Sequence, residues 1–161
     1  MGGKREFLDH PVVGVGGVVI LDGCALLIRR GSEPMKGVWS IPGGTLELGE
    51  TLVEGVRREL REETSLDVRV LDLIEVFERI FPGPEEDSGA PQAAPARPRY
   101  HFVIVDYLCE AIAGTPRAAS DVTDVALVQE EDLPAYNLTV AATRVVRKAF
   151  AMARARTQPA R

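Results

Sequence analysis

The segment GGTLELGETLVEGVRRELREETSL, residues 43–66, combines a pair of glycines with a high density of glutamates. From Thr51 to Thr64 the chain contains no proline and a single glycine. The apolar side chains of this stretch lie at helical spacings: Leu52, Val53, Val56 and Leu60. This pattern predicts an amphipathic helix with Thr51 as its N-cap.

Three acidic residues of the predicted helix share one face. At about 100° per residue, Glu59, Glu62 and Glu63 fall within an arc of roughly 100°. A single glutamate of this kind is usually a solvated residue paired with a nearby arginine. Three like charges on one stripe repel one another unless a cation lies between them. The stripe therefore predicts a divalent cation site, for Mg2+ or alternatively Mn2+, because hard ions prefer oxygen ligands.

The two glycines that precede the helix belong to the same predicted site. A residue without a side chain lets the backbone approach an ion or a phosphate closely. Gly43 is the candidate donor of a carbonyl oxygen to the metal, and Gly44 is a candidate contact to the substrate. Loop and helix together are expected to bind a metal-bound anion.

The rest of the chain predicts an alternation of strands and helices. A hairpin turning at Asp22-Gly23 is followed by a short strand, and further strands precede a C-terminal helix. Residues 81–98, FPGPEEDSGAPQAAPARP, lack a hydrophobic period and predict a flexible exposed loop. The predicted strands and C-terminal helix are residues 12–21, 24–30, 39–41, 66–80 (one strand or two), 100–113, 124–129 and 140–154.

Composition restricts the class of protein. A chain of 161 residues with 45% hydrophobic and 27% charged residues predicts one domain over residues 1–161. The net charge of −5 argues against nucleic acid as a partner. No apolar stretch approaches the length of about 20 residues that a membrane span needs, so no membrane association and a cytoplasmic location are expected. Cys24 and Cys109 lie in apolar runs and are expected to be buried free thiols.

Nine positions of the opening segment carry a resemblance to a known family. The chain resembles the Nudix hydrolases, whose signature is Gly, five residues, Glu, seven residues, then Arg-Glu-aliphatic-x-Glu-Glu-x-Gly-aliphatic. Ser65 stands where the family has glycine, which puts the geometry of the helix C-terminus in question. The matching residues are Gly44, Glu50, Arg58, Glu59, Leu60, Glu62, Glu63 and Leu66.

The resemblance implies a fold and a division of roles. It implies an α/β fold, the Nudix-type α/β/α sandwich with a mixed central sheet. It also implies that Glu50 and Arg58 orient the loop against the helix. The implied ligands of one or more Mg2+ ions are Glu59, Glu62, Glu63 and the carbonyl of Gly43.

The resemblance leaves the general base open. Some family members use the residue equivalent to Glu59, and others use a downstream acid, for which Glu110 and Asp121 are the candidates. Arg29 and Arg30, at the end of a predicted strand, are either phosphate ligands or surface residues.

The resemblance implies hydrolysis of a pyrophosphate bond in a nucleoside diphosphate linked to another group. The segments VWSIPGG, RYHFVIVDYL and LVQEEDLPAYNLT are most similar to the ADP-ribose pyrophosphatase branch. The expected reaction is therefore conversion of ADP-ribose to AMP and ribose 5-phosphate. The alternatives are a house-cleaning nucleoside triphosphate pyrophosphohydrolase and a non-catalytic nucleotide-binding module. A homodimer is compatible with the exposed strand edges of a small sandwich.

Overall fold

The computed structural model describes residues 5–83 and 97–157. Within this part of the chain the fold contains seven strands, two α-helices and one 3-10 helix. The elements are β1 (Val12–Leu21), β2 (Cys24–Arg30), β3 (Trp39–Ser40), β4 (Gly43–Thr45), α1 (Leu52–Thr64), β5 (Asp67–Phe81), β6 (Tyr100–Ala113), β7 (Val122–Val128), the 3-10 helix (Glu130–Tyr136) and α2 (Val140–Thr157).

The strands form one mixed sheet. Its order is β3-β2-β1-β6-β5, with β4 also paired to β1 and β7 to β2. β1 and β6 run parallel, whereas the other pairs are antiparallel. This arrangement confirms the predicted α/β class with a mixed sheet. Among the described strands, β5 pairs only with β6, and it exposes Leu73, Val76 and Ile80, so this edge is where the predicted homodimer can be sought.

The two helices pack on opposite faces of the sheet. Val15 and Val19 of β1 are buried against Val56 and Leu60 of α1. Val18, which points to the other face because side chains alternate along a strand, is buried in a cluster with residues of α2. The face that α1 covers is called the α1 face below, and the other the α2 face.

Both ends of α1 are defined by local hydrogen bonds. Thr51 Oγ1 accepts from the Glu54 amide at 3.2 Å, and Glu54 Oε2 accepts from the Thr51 amide at 2.8 Å. This capping box confirms Thr51 as the N-cap. At the other end Ser65 adopts the left-handed conformation, with φ 62° and ψ 20°. Ser65 therefore ends the helix as the family's glycine would, but its Cβ makes this conformation strained by about 1 kcal/mol.

The two glycines before α1 are not in a loop, as the sequence suggested, but in β4. Gly43 pairs with Gly16 and Gly44 with Val15 of β1. A Cβ on Gly43 would lie 2.1 Å from the Val15 carbonyl oxygen. The glycine is therefore required for the close approach of β4 to β1.

Other boundaries also differ from the sequence-based expectation. Residues 67–81 form one strand with several register shifts, so Phe81 belongs to β5 and not to the predicted loop. Residues 84–96 of that loop lie outside the described residues. The 3-10 helix was not predicted, and α2 continues to Thr157. Among the described helices, none combines the length and apolar character that crossing a membrane would take.

Candidate active site

Arg58 joins the segment before α1 to the helix itself. Its Nε donates to Glu50 Oε1 at 2.8 Å and its Nη2 donates to Glu50 Oε2 at 2.9 Å. Nη2 also donates to the Thr45 carbonyl at 3.0 Å. This forked, charge-assisted contact is of the strong and directional kind, and the hydrogen bond from Arg58 lowers the pKa of Glu50. The pair fixes where the helix lies relative to β4.

Glu59 is held directly behind β4. Its side chain is 13% exposed, and its Oε1 accepts from Arg58 Nη1 at 2.8 Å. A Cβ on Gly44 would lie only 2.4 Å from the Glu59 carboxyl carbon. Gly44 therefore provides the space that the Glu59 carboxylate occupies. Burial raises the pKa of Glu59, although Arg58 opposes the effect.

Glu63 is the most deeply buried acid of α1. It is 7% exposed, and its Oε2 accepts from the Gly43 amide at 2.8 Å. Burial raises the pKa of Glu63 to about 8, and Glu59 and Asp121 add to the effect while Arg30 opposes it. The ionised form of Glu63 is thus short of positive charge, which a bound cation would supply.

Glu62 lies differently from the other two acids of the stripe. Its side chain is 51% exposed and lies 3.4 Å from Arg58 Nη1. Across residues 5–83 and 97–157, no group of three His, Cys, Asp or Glu side chains is arranged to hold a metal ion. Mg2+ commonly needs only one or two carboxylates, with water and substrate phosphates completing its shell. The burial and charge of Glu59 and Glu63 fit such an ion. All four ligands, Glu59, Glu62, Glu63 and the Gly43 carbonyl, stay predictions.

The two downstream acids lie in different surroundings. Asp121 accepts a hydrogen bond from Ser32 Oγ at 2.6 Å and raises the pKa of Glu63 by its charge. Glu110 forms an exposed ion pair with Arg69 across β5 and β6. Asp121 is therefore within electrostatic reach of the buried carboxylates, and the contacts of Glu110 point elsewhere.

Arg29 and Arg30 are also separated by the fold. Arg29 is exposed, and its Nε donates to the Gly37 carbonyl at 3.0 Å. Arg30 is half-buried, and its Nε donates to the Pro34 carbonyl at 2.9 Å. Because the charge of Arg30 acts on Glu63, Arg30 is the one of the two that lies towards the carboxylates.

Comparison with known proteins identifies the family. A model of the NUDIX domain matches residues 10–149. The chain belongs to the Nudix family. An ADP-ribose pyrophosphatase from Methanocaldococcus jannaschii is 34% identical over 131 residues, which cover 81% of this chain and 69% of that protein. The nucleoside triphosphatase NudI from Escherichia coli is 30% identical over 145 residues, covering 89% and 96%.

Solved structures agree with the family and the fold. The crystal structure of a MutT NUDIX hydrolase from Burkholderia pseudomallei superposes with a TM-score of 0.69 at 28% identity, covering 87% of this chain and 98% of that one. This chain is therefore a Nudix hydrolase with pyrophosphohydrolase activity on small nucleotide substrates. Nudix hydrolases generally use divalent metal ions.

In this Nudix hydrolase one further arginine, Arg79, is a candidate site residue that was not predicted from the sequence. Arg79 of β5 is half-buried, its Nη2 donates to Met35 Sδ at 3.0 Å, and its guanidinium lies 5.2 Å from the Phe81 ring centroid. Among the residues that the structure describes, no carboxylate pairs with Arg79. Burial lowers the pKa of Arg79, and the charge of Arg30 adds to this effect. The sequence signal that could have identified Arg79 is the alternation in VFERIF, where the arginine lies on the same strand face as the two phenylalanines.

Proposed function

We propose that this Nudix hydrolase cleaves the pyrophosphate bond of ADP-ribose with Mg2+, giving AMP and ribose 5-phosphate. The observation that carries the proposal is the buried pair Glu59 and Glu63, held behind Gly43 and Gly44 of β4. Within the described chain, Glu63 has no cation hydrogen-bonded to it, and Glu59 shares Arg58 with Glu50. The choice of ADP-ribose is supported by the named activity of the relative that is 34% identical.

The chain's own residues would hold the ion and keep it in place. Glu59 and Glu63 would be its carboxylate ligands, with the Gly43 carbonyl beside them. Arg58 would orient Glu59 through the hydrogen bond from Nη1 at 2.8 Å. A bound Mg2+ would neutralise phosphate charge and make the attacking water more acidic.

The reaction needs one proton acceptor and no covalent enzyme intermediate. Water attacks one phosphorus of the pyrophosphate, its oxygen stays on that phosphate, and the bond to the bridging oxygen breaks. Glu59 or Asp121 would accept the proton of the attacking water. Arg30 and Arg79 would contact the phosphates, because both guanidinium groups dock on the adjacent residues Pro34 and Met35 and neither has a carboxylate hydrogen-bonded to it in the described chain.

A second candidate function is hydrolysis of nucleoside triphosphates to a monophosphate and pyrophosphate. The observation in its favour is the 30% identity to NudI, which extends over 96% of that protein. The same carboxylates would act in both reactions, so the two candidates differ in the group that lies beyond the phosphates.

A product assay tests the proposal. The enzyme is incubated with ADP-ribose, other sugar nucleotides, NADH, diadenosine polyphosphates and nucleoside triphosphates, with Mg2+, with Mn2+ and with chelator. We expect AMP and ribose 5-phosphate from ADP-ribose at the highest kcat/KM, and loss of turnover with chelator. A higher kcat/KM with a nucleoside triphosphate would favour the second candidate. No turnover of any compound would contradict both.

A further inference from the structure

A cleft lies between the loop that follows β2 and the adjoining ends of β5 and β6. Residues 33–35 of the loop line one side, residues 81–82 and 99–100 line the other, and the volume is about 440 Å³. Small-molecule pockets commonly measure roughly 300 to 1,000 Å³. The cavity is called the Met35–Phe81 cleft below. Its size is that of a binding site for part of a small ligand.

The lining of the Met35–Phe81 cleft is mostly apolar. Its apolar and aromatic side chains are Pro34, Met35, Phe81, Pro82 and Tyr100. The Tyr100 hydroxyl donates to Glu6 Oε1 at 2.8 Å, and Arg99 Nη2 donates to the same oxygen at 2.6 Å. The charge of Arg99 is therefore already neutralised, and Glu33 adds a carboxylate to the lining. The cleft thus suits a neutral group with apolar surfaces better than a phosphate.

Two arginines contact the walls of the cleft. Arg79 Nη2 donates to Met35 Sδ at 3.0 Å, and the same guanidinium lies 5.2 Å from the Phe81 ring centroid. Arg30 Nε donates to the Pro34 carbonyl at 2.9 Å. The charge of Arg30 lowers the pKa of Arg79 and also that of Glu63, so Arg30 is within electrostatic reach of both. Phosphates held by the two arginines would therefore lie beside the cleft.

The end of β2 provides a path from the carboxylates of α1 to the cleft. Arg79 lies on the α2 face with Phe77, because side chains alternate along β5, and α1 covers the other face. β2 ends at Arg30, and the Arg30 side chain reaches from there to the Pro34 carbonyl in the cleft wall. A ligand in contact with Arg30 can therefore enter the cleft around the end of β2, without crossing the sheet.

The proposed substrate has two different groups beyond its phosphates. One is a ribose, whose hydroxyl groups need polar partners when they leave water. The other carries adenine, a planar base with two apolar faces. Contacts between a base and an aromatic side chain are favourable for every base, because each has a π-face. The apolar and aromatic lining of the cleft therefore favours the base over the ribose.

We propose that the Met35–Phe81 cleft binds the nucleobase of the substrate. The base packs against the Phe81 ring and the Met35 side chain. The phosphates lie beside it, at Arg30 and Arg79. This inference rests on the proposed function, because it takes the substrate to be a nucleotide. It makes Phe81 and Met35 determinants of substrate binding, whereas the carboxylates of α1 act on the pyrophosphate.

The test compares AMP with ribose 5-phosphate, which is AMP without its base. Binding of each in Mg2+ is measured by calorimetry for the parent, Phe81→Leu and Met35→Ala. We expect the parent to bind AMP more tightly than ribose 5-phosphate. Phe81→Leu should lower the affinity for AMP, relative to that for ribose 5-phosphate, about fivefold or more, which is the lower end of the effect of losing a base–aromatic contact. Met35→Ala should change the ratio in the same direction.

Phe102→Leu is the matched control. The Phe102 ring lies 6.3 Å from the Phe81 ring in the same aromatic cluster, but it is not part of the lining that the described residues form. Its replacement removes aromatic packing to a similar extent and should keep the parent's ratio of affinities. A fall in Phe102→Leu as large as in Phe81→Leu would overturn the proposal, because packing within the cluster would then explain both.

Three further results would overturn the proposal. They are a parent that binds AMP no more tightly than ribose 5-phosphate, a parent-like ratio in both Phe81→Leu and Met35→Ala, and an equal loss of affinity for the two ligands. Thermal unfolding shows whether each variant is folded. Met35→Ala, at a half-buried position of the loop, covers the case in which Phe81→Leu is not.

Hydrolysis of ADP-ribose by the parent is measured in parallel. Absence of hydrolysis would contradict the proposed function. The relative affinities for AMP and ribose 5-phosphate do not depend on turnover, so they would still decide the role of the cleft.

Discussion

Two pairs of residues at α1, Glu50–Arg58 and Glu59–Glu63, place their acidic groups in opposite electrostatic surroundings. Glu50 receives two hydrogen bonds from one guanidinium, and Arg58 lowers its pKa. Glu63 receives only a backbone amide, and burial raises its pKa to about 8. The Glu50–Arg58 pair is neutralised within the protein, so its role is to position. Glu59 shares Arg58 with Glu50, and Glu63 has no cation hydrogen-bonded to it in the described chain. We propose that a bound divalent ion supplies the positive charge that Glu63 lacks.

The largest effect, a fall in kcat, is expected when the Glu59–Glu63 pair is broken by Glu63→Gln. An amide keeps an acceptor for the Gly43 N–H but carries no charge for a metal ion. Loss of residues that only support a metal ligand typically costs 10- to 100-fold, so kcat should fall by about 100-fold or more. The measurement is steady-state hydrolysis of ADP-ribose at saturating Mg2+.

Glu131→Gln is the control, because Glu131 is an exposed acid of the 3-10 helix. It should keep the parent's kcat. If Glu63→Gln hydrolysed every substrate of the panel at the parent rate, the assignment of the carboxylate pair to metal would be wrong.

The next largest effect is expected from Gly44→Ala. The added Cβ would fall 2.4 Å from the Glu59 carboxyl carbon and would displace that carboxylate. The Mg2+ concentration for half-maximal activity should rise about tenfold or more, since the ligand is moved and not removed. Gly14→Ala is the matched control, because its Cβ would approach no atom closer than 3.6 Å. A parent-like Mg2+ requirement in Gly44→Ala would show that Glu59 does not bind the ion.

The contrast between the two pairs was only partly visible in the sequence. The bounds of α1, its N-cap at Thr51 and the stripe of acids follow from local spacing, and the structure agrees with the first two. The short strand β4 and the hydrogen bond from the Gly43 amide to Glu63 depend on a neighbouring strand that is distant in sequence. The burial of Asp106 on β6, which is only 3% exposed, was missed for the same reason, because a lone acid in a strand does not show its burial until the strands are paired.

Breaking the Glu50–Arg58 pair by Glu50→Gln should affect the free energy of unfolding more than the rate of hydrolysis. Arg58 would lose a bidentate carboxylate, and the free energy of unfolding should fall by about 1 to 3 kcal/mol at neutral pH. The folded pKa of Glu50 lies below its usual 4.5, so this contribution is present above that value and is lost as the pH falls through the folded pKa. Denaturant unfolding at pH 7 and at acidic pH measures the difference between parent and variant, which should shrink in acid.

Glu110→Gln is the comparison for Glu50→Gln, because it breaks an exposed ion pair with Arg69. It should change the free energy of unfolding by less than about 1 kcal/mol and should leave turnover at the parent rate. A large loss of turnover would make Glu110 the general base, in place of Glu59 or Asp121.

The smallest effect is expected at Ser65, which ends the same helix but belongs to neither pair. Ser65→Gly removes the strain of a side chain at φ 62° and should raise the free energy of unfolding by about 0.5 to 1 kcal/mol. Ser65→Ala keeps the Cβ and should bring no such gain. A change of kcat in Ser65→Gly would mean that the end of α1 affects the carboxylates more than the contacts of the helix indicate.

The central claim is that the Glu59–Glu63 pair binds the divalent ion used for hydrolysis. Crystals of the parent and of Glu63→Gln grown with Mn2+ test it most directly, by anomalous scattering at the manganese edge. The claim predicts an anomalous peak between Glu59, Glu63 and the Gly43 carbonyl in the parent, and a weakened or absent peak in the variant. A peak of equal strength in both proteins, or one only at another group of acids, would contradict it.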